Sequence, residues 1–554
     1  MKIVLAQQNY HIGNFELNTE KIISGIQEAI SMGADLVVFS ELCVCGYPPR
    51  DFLEFEDFIA KCYAAIDTIK AYTDRIAVIV GAPARNPQRE GKDLFNAAWF
   101  LHEQEVKHVV HKTLLPTYDV FDEYRYFEPA YEWNVIPFKG KKLALTICED
   151  IWNLGDNPLY RICPMDQLIL QQPDVMINIS ASPFDYDHDQ DRKEIIRANV
   201  LKYKLPMLYS CTVGSQTEIV FDGGSLIFDA QGNIVKEMPY FQEALQLVDL
   251  DDLLASKQPE PLVQHTPIRE LVFDYNIDRI YNALVLGIRD YFRKMGFTKA
   301  ILGSSGGIDS AVTLAIACDA LGKDNVRAIL MPSPYSTEHS VDDAVALSKN
   351  LGNPYDIIRI NDVYESFLHT LDPFFKGLPF NVAEENTQSR IRGNLLMALS
   401  NKFGYILLNT SNKSELSTGY GTLYGDMAGG LSVVGDVYKM QVYALARYIN
   451  RDKEIIPVNI IDKAPSAELR PNQKDSDSLP DYAVLDRILY QYIERRQGPR
   501  EIIAFGFDPQ LVARTLKLVN TNEYKRNQFC PIIRVSSKAF GVGRRVPIVG
   551  KYLS

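Results

Sequence analysis

The stretch Ile301–Gly322, ILGSSGGIDSAVTLAIACDALG, narrows the choice of fold more than any other in this chain. A short apolar run passes into Ser-Ser-Gly-Gly, and Ile-Asp-Ser then opens an apolar-rich helix. Strand, small-residue loop and helix in immediate succession form the first part of a βαβ unit, which calls for a parallel sheet covered by helices. Glycine amides and serine hydroxyls at a helix start make a nest for an oxyanion, strengthened by the positive end of the helix dipole. The loop lacks the lysine of a Gly-x-x-x-x-Gly-Lys-Ser/Thr sequence. It therefore holds a phosphate in some other way.

The rest of the second half keeps that rhythm. NVRAILMPSP, YDIIRIND and YILLNTSN read as further strands with helices between them, and DYNIDRIYNALVLGIRDYFRKMG as an amphipathic helix ahead of the loop. That is the pattern of a doubly wound parallel sheet. The first half differs. KIVLAQQ, ADLVVFSE, RIAVIVGAPA, NAAWFLHEQEVKHVVHK, KLALTICED, PDVMINISAS and MLYSCTVG are short apolar strands with few helices, some paired as hairpins. Such a series predicts a layered α/β sandwich. Between the halves, ASKQPEPLVQHTPIRE breaks into proline and polar residues. We place domains at 1–256 and 271–554, with a linker over 257–270.

Composition narrows the function. A chain of 554 residues exceeds one ordinary core, and its 46% hydrophobic and 23% charged residues belong to the globular class. A net charge of −12 counts against nonspecific binding of nucleic acid or an anionic membrane. The eight cysteines include no CxxC pair, so neither a zinc ribbon nor a disulfide framework is expected. MKIVLAQQN reads as a first strand, not a signal peptide, and no apolar stretch has membrane-spanning length. The expectation is a cytoplasmic protein acting on small molecules, with neither nucleic acid nor membrane as partner.

In the first half three apolar strands end in reactive side chains: Glu41 after DLVVFS, Lys112 after KHVVH and Cys148 after LALTI. Singly, each has a plain structural reading: a helix-starting acid, a surface charge, a small buried residue. Together they make a machine. A thiol attacks as thiolate, and its free pKa of about 8.5 falls beside a cation. Lys112 supplies that cation and a donor for the oxyanion of a tetrahedral intermediate. Glu41 takes the thiol proton and passes it to a leaving amine. No histidine neighbours Cys148, and His111 alternates to the face opposite Lys112 in a regular strand, which weakens a Cys–His protease reading.

These residues also carry a resemblance. FSELCVCGYPPRDFL, HKTLLPTYDVFDEYRYF and LTICEDIW resemble the three signatures of the nitrilase, or carbon–nitrogen hydrolase, superfamily, in its order. The resemblance implies an α-β-β-α sandwich and a Glu–Lys–Cys triad. Within the superfamily the half is most similar to the glutaminase domain of glutamine-dependent NAD synthetases. Carried over by motif, Tyr118, Glu123 and Ser182 meet glutamine or its amine. Arg192 is carried over as a further ligand, although DYDHDQ intervenes where the family's basic residue follows sooner.

In the second half, Ser305-Gly306-Gly307-Ile308-Asp309-Ser310 resembles the Ser-Gly-Gly-x-Asp-Ser signature of the N-type ATP pyrophosphatases. That family grips the β,γ-pyrophosphate of ATP, which accounts for the missing lysine. The resemblance implies a nucleotide site over Gly303, Ser304, Ser305, Gly306, Gly307, Ile308, Asp309, Ser310 and Thr410, with ATP as co-substrate. Mg2+ is implied at Asp309 and Glu415. NTSNKSELSTGYGTLYGD resembles NAD synthetases in particular, and sets Thr410, Lys413 and Glu415 beside the nucleotide. Asn386, Glu415 and Lys525 match residues that bind deamido-NAD, and Lys439 one that meets phosphate. Arg390, Arg392 and Arg526 stand evenly between ligand and solvated charge. The segment from Lys463 reads as a surface loop or a lid over ATP, and the resemblance favours the lid. The cations after Tyr524 fit a pyrophosphate-bearing substrate.

The combined reading is a glutamine-hydrolysing NAD synthetase, expected to be at least a dimer. Two alternatives stand beside it: another ATP-pyrophosphatase amidotransferase, or an amidase governed by a nucleotide-sensing half. An RNA-modifying or thiolating pyrophosphatase would want a basic face and a second reactive cysteine near the loop. Cys318, at helical spacing, reads as core.

Overall fold

The computed structural model describes residues 1–154, 159–255, 269–466, 468–471, 473, 475 and 479–553. The chain divides into two units, Met1–Phe184 with His188–Thr266, and Asp185–Asp187 with Pro267–Ser554. Of the linker expected over 257–270, only 269 and 270 are among the described residues.

Among the described residues the first unit carries strands β1 (Lys2–Gln7), β2 (Leu36–Val38), β3 (Ala77–Arg85), β4 (Leu94–His102), β5 (Glu105–His111), β6 (Ile136–Phe138), β7 (Lys141–Ile147), β8 (Val175–Ser180), β9 (Met207–Cys211), β10 (Val213–Gln216), β11 (Ile219–Asp222), β12 (Leu226–Phe228), β13 (Ile234–Glu237) and β14 (Ala244–Asp249). One six-stranded sheet runs β14-β1-β2-β3-β4-β5 and a second runs β13-β12-β9-β8-β7-β6. Both are mixed, with parallel strands at the centre and antiparallel strands towards the edges. The alternation in β1 shows why two layers form. Ile3 and Leu5 share a core with Leu143, Leu145, Val175 and Ile177 of the other sheet. Val4 and Ala6 face Ile22 and Ile26 of the helix Phe15–Ser31. A strand apolar on both faces must be covered on both. On the far side, Ala144, Met176 and Met207 pack against Ile196 and Val200 of the helix His188–Tyr203. The result is the α-β-β-α sandwich expected from sequence.

The second unit carries β15 (Ala300–Gly303), β16 (Val326–Leu330), β17 (Tyr355–Ile357), β18 (Ile406–Asn409) and β19 (Leu431–Ser432), all parallel, in the order β17-β16-β15-β18-β19. Helices Ile277–Met295, Ile308–Leu321 and Lys439–Ile449 pack together. Ile301, Ile329 and Leu407 pack with Ile391 and Leu396 of the helix Val382–Phe403. The chain winds outward from β15 to β16 and β17, then crosses to β18 and β19. The carboxyl end of β15 is thus the topological switch point, where such sheets bind ligands. The Ser-Gly-Gly loop leaves the sheet there.

Candidate active sites

In the first unit, three strand ends converge. Lys112 is wholly buried and donates to Glu41 Oε1 at 2.7 Å and Glu123 Oε1 at 2.8 Å. Glu41 also accepts from Asn96 Nδ2 at 2.8 Å and from the Ala181 amide at 2.9 Å. The turn that carries Glu41 presses on β3: a Cβ on Gly81 would stand 2.2 Å from the Leu42 nitrogen, so only glycine fits. Tyr47 donates to Glu123 at 2.8 Å, and burial together with Glu41 lifts that carboxyl to about 7 against the pull of Lys112.

Cys148 opens a short 3₁₀ turn, Cys148–Ile151, directly after β7, at a φ of +44°. A non-glycine residue held there marks a strained strand-to-helix bend of the kind that presents a nucleophile. Asp150 secures the bend: its carboxylate accepts from the Ile147 amide at 3.0 Å and from the amides of Thr113 and Leu114 at 3.0 and 2.8 Å. The same carboxylate therefore ties the cysteine turn to the segment that follows Lys112. Burial, then Glu41, push the Cys148 thiol well above its usual range, and Lys112 opposes them. The resting residue is a thiol, and attack requires a base. His111 does not supply one: its ring stacks on Phe95 at 4.0 Å and burial lowers it to about 4.

Tyr118, expected to meet substrate, donates to Glu149 at 3.0 Å, as does Tyr160 at 3.1 Å. Ser182 is buried next to Ala181. Arg192 corrects the sequence reading. It is 1% exposed, with Nη1 and Nη2 on the Asp222 carboxylate at 3.0 and 2.7 Å and Nη1 on the Gly223 carbonyl at 3.2 Å. Both of its terminal nitrogens are thus spent on the end of β11.

In the second unit, a cavity of about 290 Å³ opens over the carboxyl end of β15. Every residue expected at the nucleotide, Gly303 to Ser310 and Thr410, lines it, as do Glu415 and Lys439. The loop keeps its shape through its own hydroxyls: the Gly307 amide donates to Ser305 Oγ at 3.2 Å and Ser310 Oγ to the Gly307 carbonyl at 3.0 Å. Gly306 has a φ of +77°, and a Cβ there would lie 2.2 Å from the Ser340 carbonyl oxygen. Ser304 Oγ is buried without a hydrogen-bond partner among the described residues, a polar atom in want of a ligand.

Opposite the loop, Lys439 Nζ donates to Asp309 at 2.6 Å and stands 3.6 Å from Glu415. Asn412 donates to the other Asp309 oxygen at 2.9 Å. The sequence Asn-Lys-Ser-Glu aims Glu415, because Asn412 and Glu415 close a reciprocal capping box on the helix Lys413–Thr418. Burial, then Asp309, raise the Glu415 carboxyl to about 8, and Lys439 opposes them. Asp475, on the segment read as a lid, accepts from Tyr420 and Tyr482 and lines the cavity with Lys463, Ser466 and Glu468. Residues 467, 472, 474 and 476–478 of that segment lie outside the described residues.

Asn386 and Lys525 do not line this cavity. They meet instead at the turn that follows the helix Lys413–Thr418: Asn386 accepts from Thr422 at 2.7 Å, and Lys525 donates to the carbonyls of Gly419 and Gly421 at 2.8 and 2.9 Å. Lys413 is a second correction. It is wholly buried, 2.9 Å from Asp436 and 2.8 Å from Glu494, and so is held away from the nucleotide. Arg526 and Arg544 converge on Glu523 at 2.8 and 2.5 Å, so these two tail cations brace the tail itself. Arg392 is the evenly weighed arginine that joins the site: it lines the cavity, donates to the Met331 carbonyl at 3.0 Å, and is lowered to about 10 by burial. Sequence reasoning missed Tyr47, Asn96, Asp150 and Tyr160. Asp150 stood inside the quoted LTICEDIW, two residues from the cysteine, and Tyr47 inside FSELCVCGYPPRDFL; Asn96 was one polar residue in an apolar strand, and Tyr160 carried no local signal.

Comparison with known proteins agrees with both halves. Residues 2–258 match the carbon-nitrogen hydrolase family and residues 280–529 the NAD synthase family. The chain is 44% identical to a glutamine-dependent NAD(+) synthetase of Synechocystis sp., over 99% of this chain and 98% of that one. It is 41% identical to a protein of the same description from Thermotoga maritima, over 100% and 99%. The solved structure of a glutamine-dependent NAD+ synthetase from Acinetobacter baumannii, in complex with adenosine diphosphate, superposes with a TM-score of 0.76 at 38% identity, covering 100% of this chain and 99% of that one.

Proposed function

The chain belongs to the family of glutamine-dependent NAD synthetases, and from that premise we propose how its two sites share the reaction. Glutamine gives up its amide nitrogen in the first unit, and the second spends ATP to join that nitrogen to deamido-NAD. The products are glutamate, NAD, AMP and pyrophosphate.

In the first unit Glu41 takes the Cys148 proton as sulfur attacks the amide carbonyl of glutamine. Lys112 places its positive charge beside the oxygen that becomes negative. The proton on Glu41 goes to the departing nitrogen, ammonia leaves, and a thioester remains on Cys148. Water, deprotonated by Glu41, opens the thioester to glutamate and restores the thiol. Glu123 stays on Lys112 and Tyr47 throughout, which holds the ammonium group in place.

In the second unit the 304–310 loop takes the pyrophosphate end of ATP, and Lys439 and Arg392 add positive charge around it. The carboxylate of deamido-NAD attacks the α-phosphorus and pyrophosphate leaves. Ammonia then attacks the acyl-adenylate and expels AMP. Asn386, Glu415 and Lys525 are assigned to the deamido-NAD side, where Lys525 and Asn386 converge on the 419–422 turn. Mg2+ fits Asp309 and Glu415, two hard oxygen donors at the loop mouth that both lie against Lys439 and Asn412. No group of three such donors occurs among the described residues, so phosphates and water would complete its shell. Bound there, the ion screens charge on the phosphates.

Two coarser features extend the reading. Phe374, Leu378, Phe380 and Val382 expose apolar surface in the second unit, which supports assembly into at least a dimer. No described helix is long and apolar enough to cross a membrane, which is in keeping with the cytoplasmic location we assign.

The observation that carries the proposal is that Lys112 holds Glu41 beside the Cys148 turn in one unit, while Asp309, Lys439 and Glu415 meet at the loop cavity in the other. The test supplies wild type and Cys148→Ala with deamido-NAD, ATP and magnesium, plus either glutamine or ammonium chloride. The variant is expected to make NAD from ammonium but not from glutamine. Wild type that makes NAD from neither source overturns the proposal and leaves an amidase joined to a nucleotide-binding unit.

A further inference from the structure

One buried side chain touches both carboxylates of the first site and has no role in the chemistry above. Asn96 lies within β4, wholly buried. Its amide nitrogen donates to Glu41 Oε1 at 2.8 Å and to Glu123 Oε2 at 3.3 Å. Its backbone carbonyl accepts from the Lys112 amide at 2.8 Å. One residue in the middle of a strand therefore reaches all three members of the Glu41–Lys112–Glu123 cluster. Its own Oδ1 is buried with no hydrogen-bond partner among the described residues.

That orphan oxygen gives the direction of the argument. A buried amide oxygen without a donor is unfavourable, and a native chain tolerates it where something outweighs it. Turning the amide over would aim the oxygen at two carboxylates and take the N–H groups away from both. Holding the amide as it stands gives each carboxylate a donor without adding charge. Lys112 alone supplies one positive charge to two acids, and a second cation would draw the proton-accepting power out of Glu41.

We propose that Asn96 is a positioning residue for the glutaminase reaction: it sets Glu41 and Glu123 in fixed orientations on the two sides of Lys112, so that Glu41 is the acid aimed at the Cys148 proton. The proposal rests on the reading of the first unit as a glutaminase. The groups that face these acids are Lys112 at the end of β5, Tyr47 from the turn after β2, Cys148 and Glu149 after β7, and Tyr160. Removing the N–H donors disfavours the ionised form of Glu123, already held up at about 7 by burial and by Glu41.

The test measures glutamate release from glutamine against pH for wild type, Asn96→Asp and Asn96→Ala in the full-length protein. Asn96→Asp has nearly the same shape, removes both donors and adds a negative charge. Its kcat is expected to fall about a hundredfold at pH 7, with KM for glutamine within about threefold, and the acid limb of the profile to move up by about one pH unit. Asn96→Ala is expected to fall about tenfold or more with the limb moved the same way. Tryptophan fluorescence and NAD formation from ammonium chloride check that both units of each variant are folded. A kcat near wild type, or a kcat that falls while the acid limb stays in place, overturns the proposal, since loosened packing alone would not move the limb. Wild type that releases no glutamate would instead overturn the glutaminase reading itself.

Discussion

Arg192 separates a structural cation from a substrate ligand, and the two roles predict opposite results. The guanidinium and the Asp222 carboxylate are 1% and 2% exposed and joined by two hydrogen bonds, with a third to the Gly223 carbonyl. Arg192→Met leaves Asp222 buried without its counter-charge, and breaking a buried pair from one side costs about 3–5 kcal/mol. With a urea slope of about 2–3 kcal/mol per molar, the unfolding midpoint should fall by about 1–2 M. Arg192→Met with Asp222→Leu removes both charges and should recover most of that loss. The assay is favourable: Trp99, Trp133 and Trp152 are the chain's three tryptophans and all lie in the first unit, so their fluorescence follows that unit alone. If Arg192→Met keeps the wild-type midpoint while KM for glutamine rises tenfold or more, the arginine is a ligand and the burial argument is refuted.

Three further outcomes follow from the geometry. Gly306→Ala places a Cβ 2.2 Å from the Ser340 carbonyl at a φ of +77°, so ammonium-driven NAD formation should fall at least about a hundredfold, whereas a variant within tenfold of wild type would show the loop free to shift. Lys439→Met removes the ammonium group between Asp309 and Glu415; we expect KM for ATP to rise at least about tenfold in the ammonium assay, and an unchanged KM would exclude a phosphate contact. The stability of the first unit should fall with rising pH between about 5 and 7.5. Burial holds Glu123 near 7 and Asp150 near 6, above ordinary carboxylate values of about 4. The folded state thus binds more protons than the unfolded one in that window, and stability is lost as pH climbs through the folded values. A tryptophan-monitored urea midpoint higher at pH 7.5 than at pH 5 would contradict this.

What could be read before folding was whatever the chain writes locally. Strand-end positions marked Glu41, Lys112 and Cys148 because period-2 alternation and the residue after the last apolar position are visible in a few letters. Ser-Gly-Gly-Ile-Asp-Ser is likewise a short-range statement about a turn and a helix start, and it lines the cavity. Two cations placed by motif resemblance take partners that no local window shows. Arg192 pairs with Asp222, 30 residues away, and Lys413 with Asp436 and Glu494, and none of these partners is visible beside the motif that carried the residue over.

The sequence by itself determined the two units and their layer types, and set Glu41, Lys112, Cys148 and the Ser-Gly-Gly loop at strand ends, since each follows from hydrophobic period and turn chemistry over short spans. Only the tertiary structure decided which charges are spent on the protein and which remain for a ligand. Burial and pairing are properties of distant segments brought together. Asn96 shows the difference: in sequence it is one polar letter in an apolar strand, and in the fold it is the point where Glu41, Lys112 and Glu123 meet.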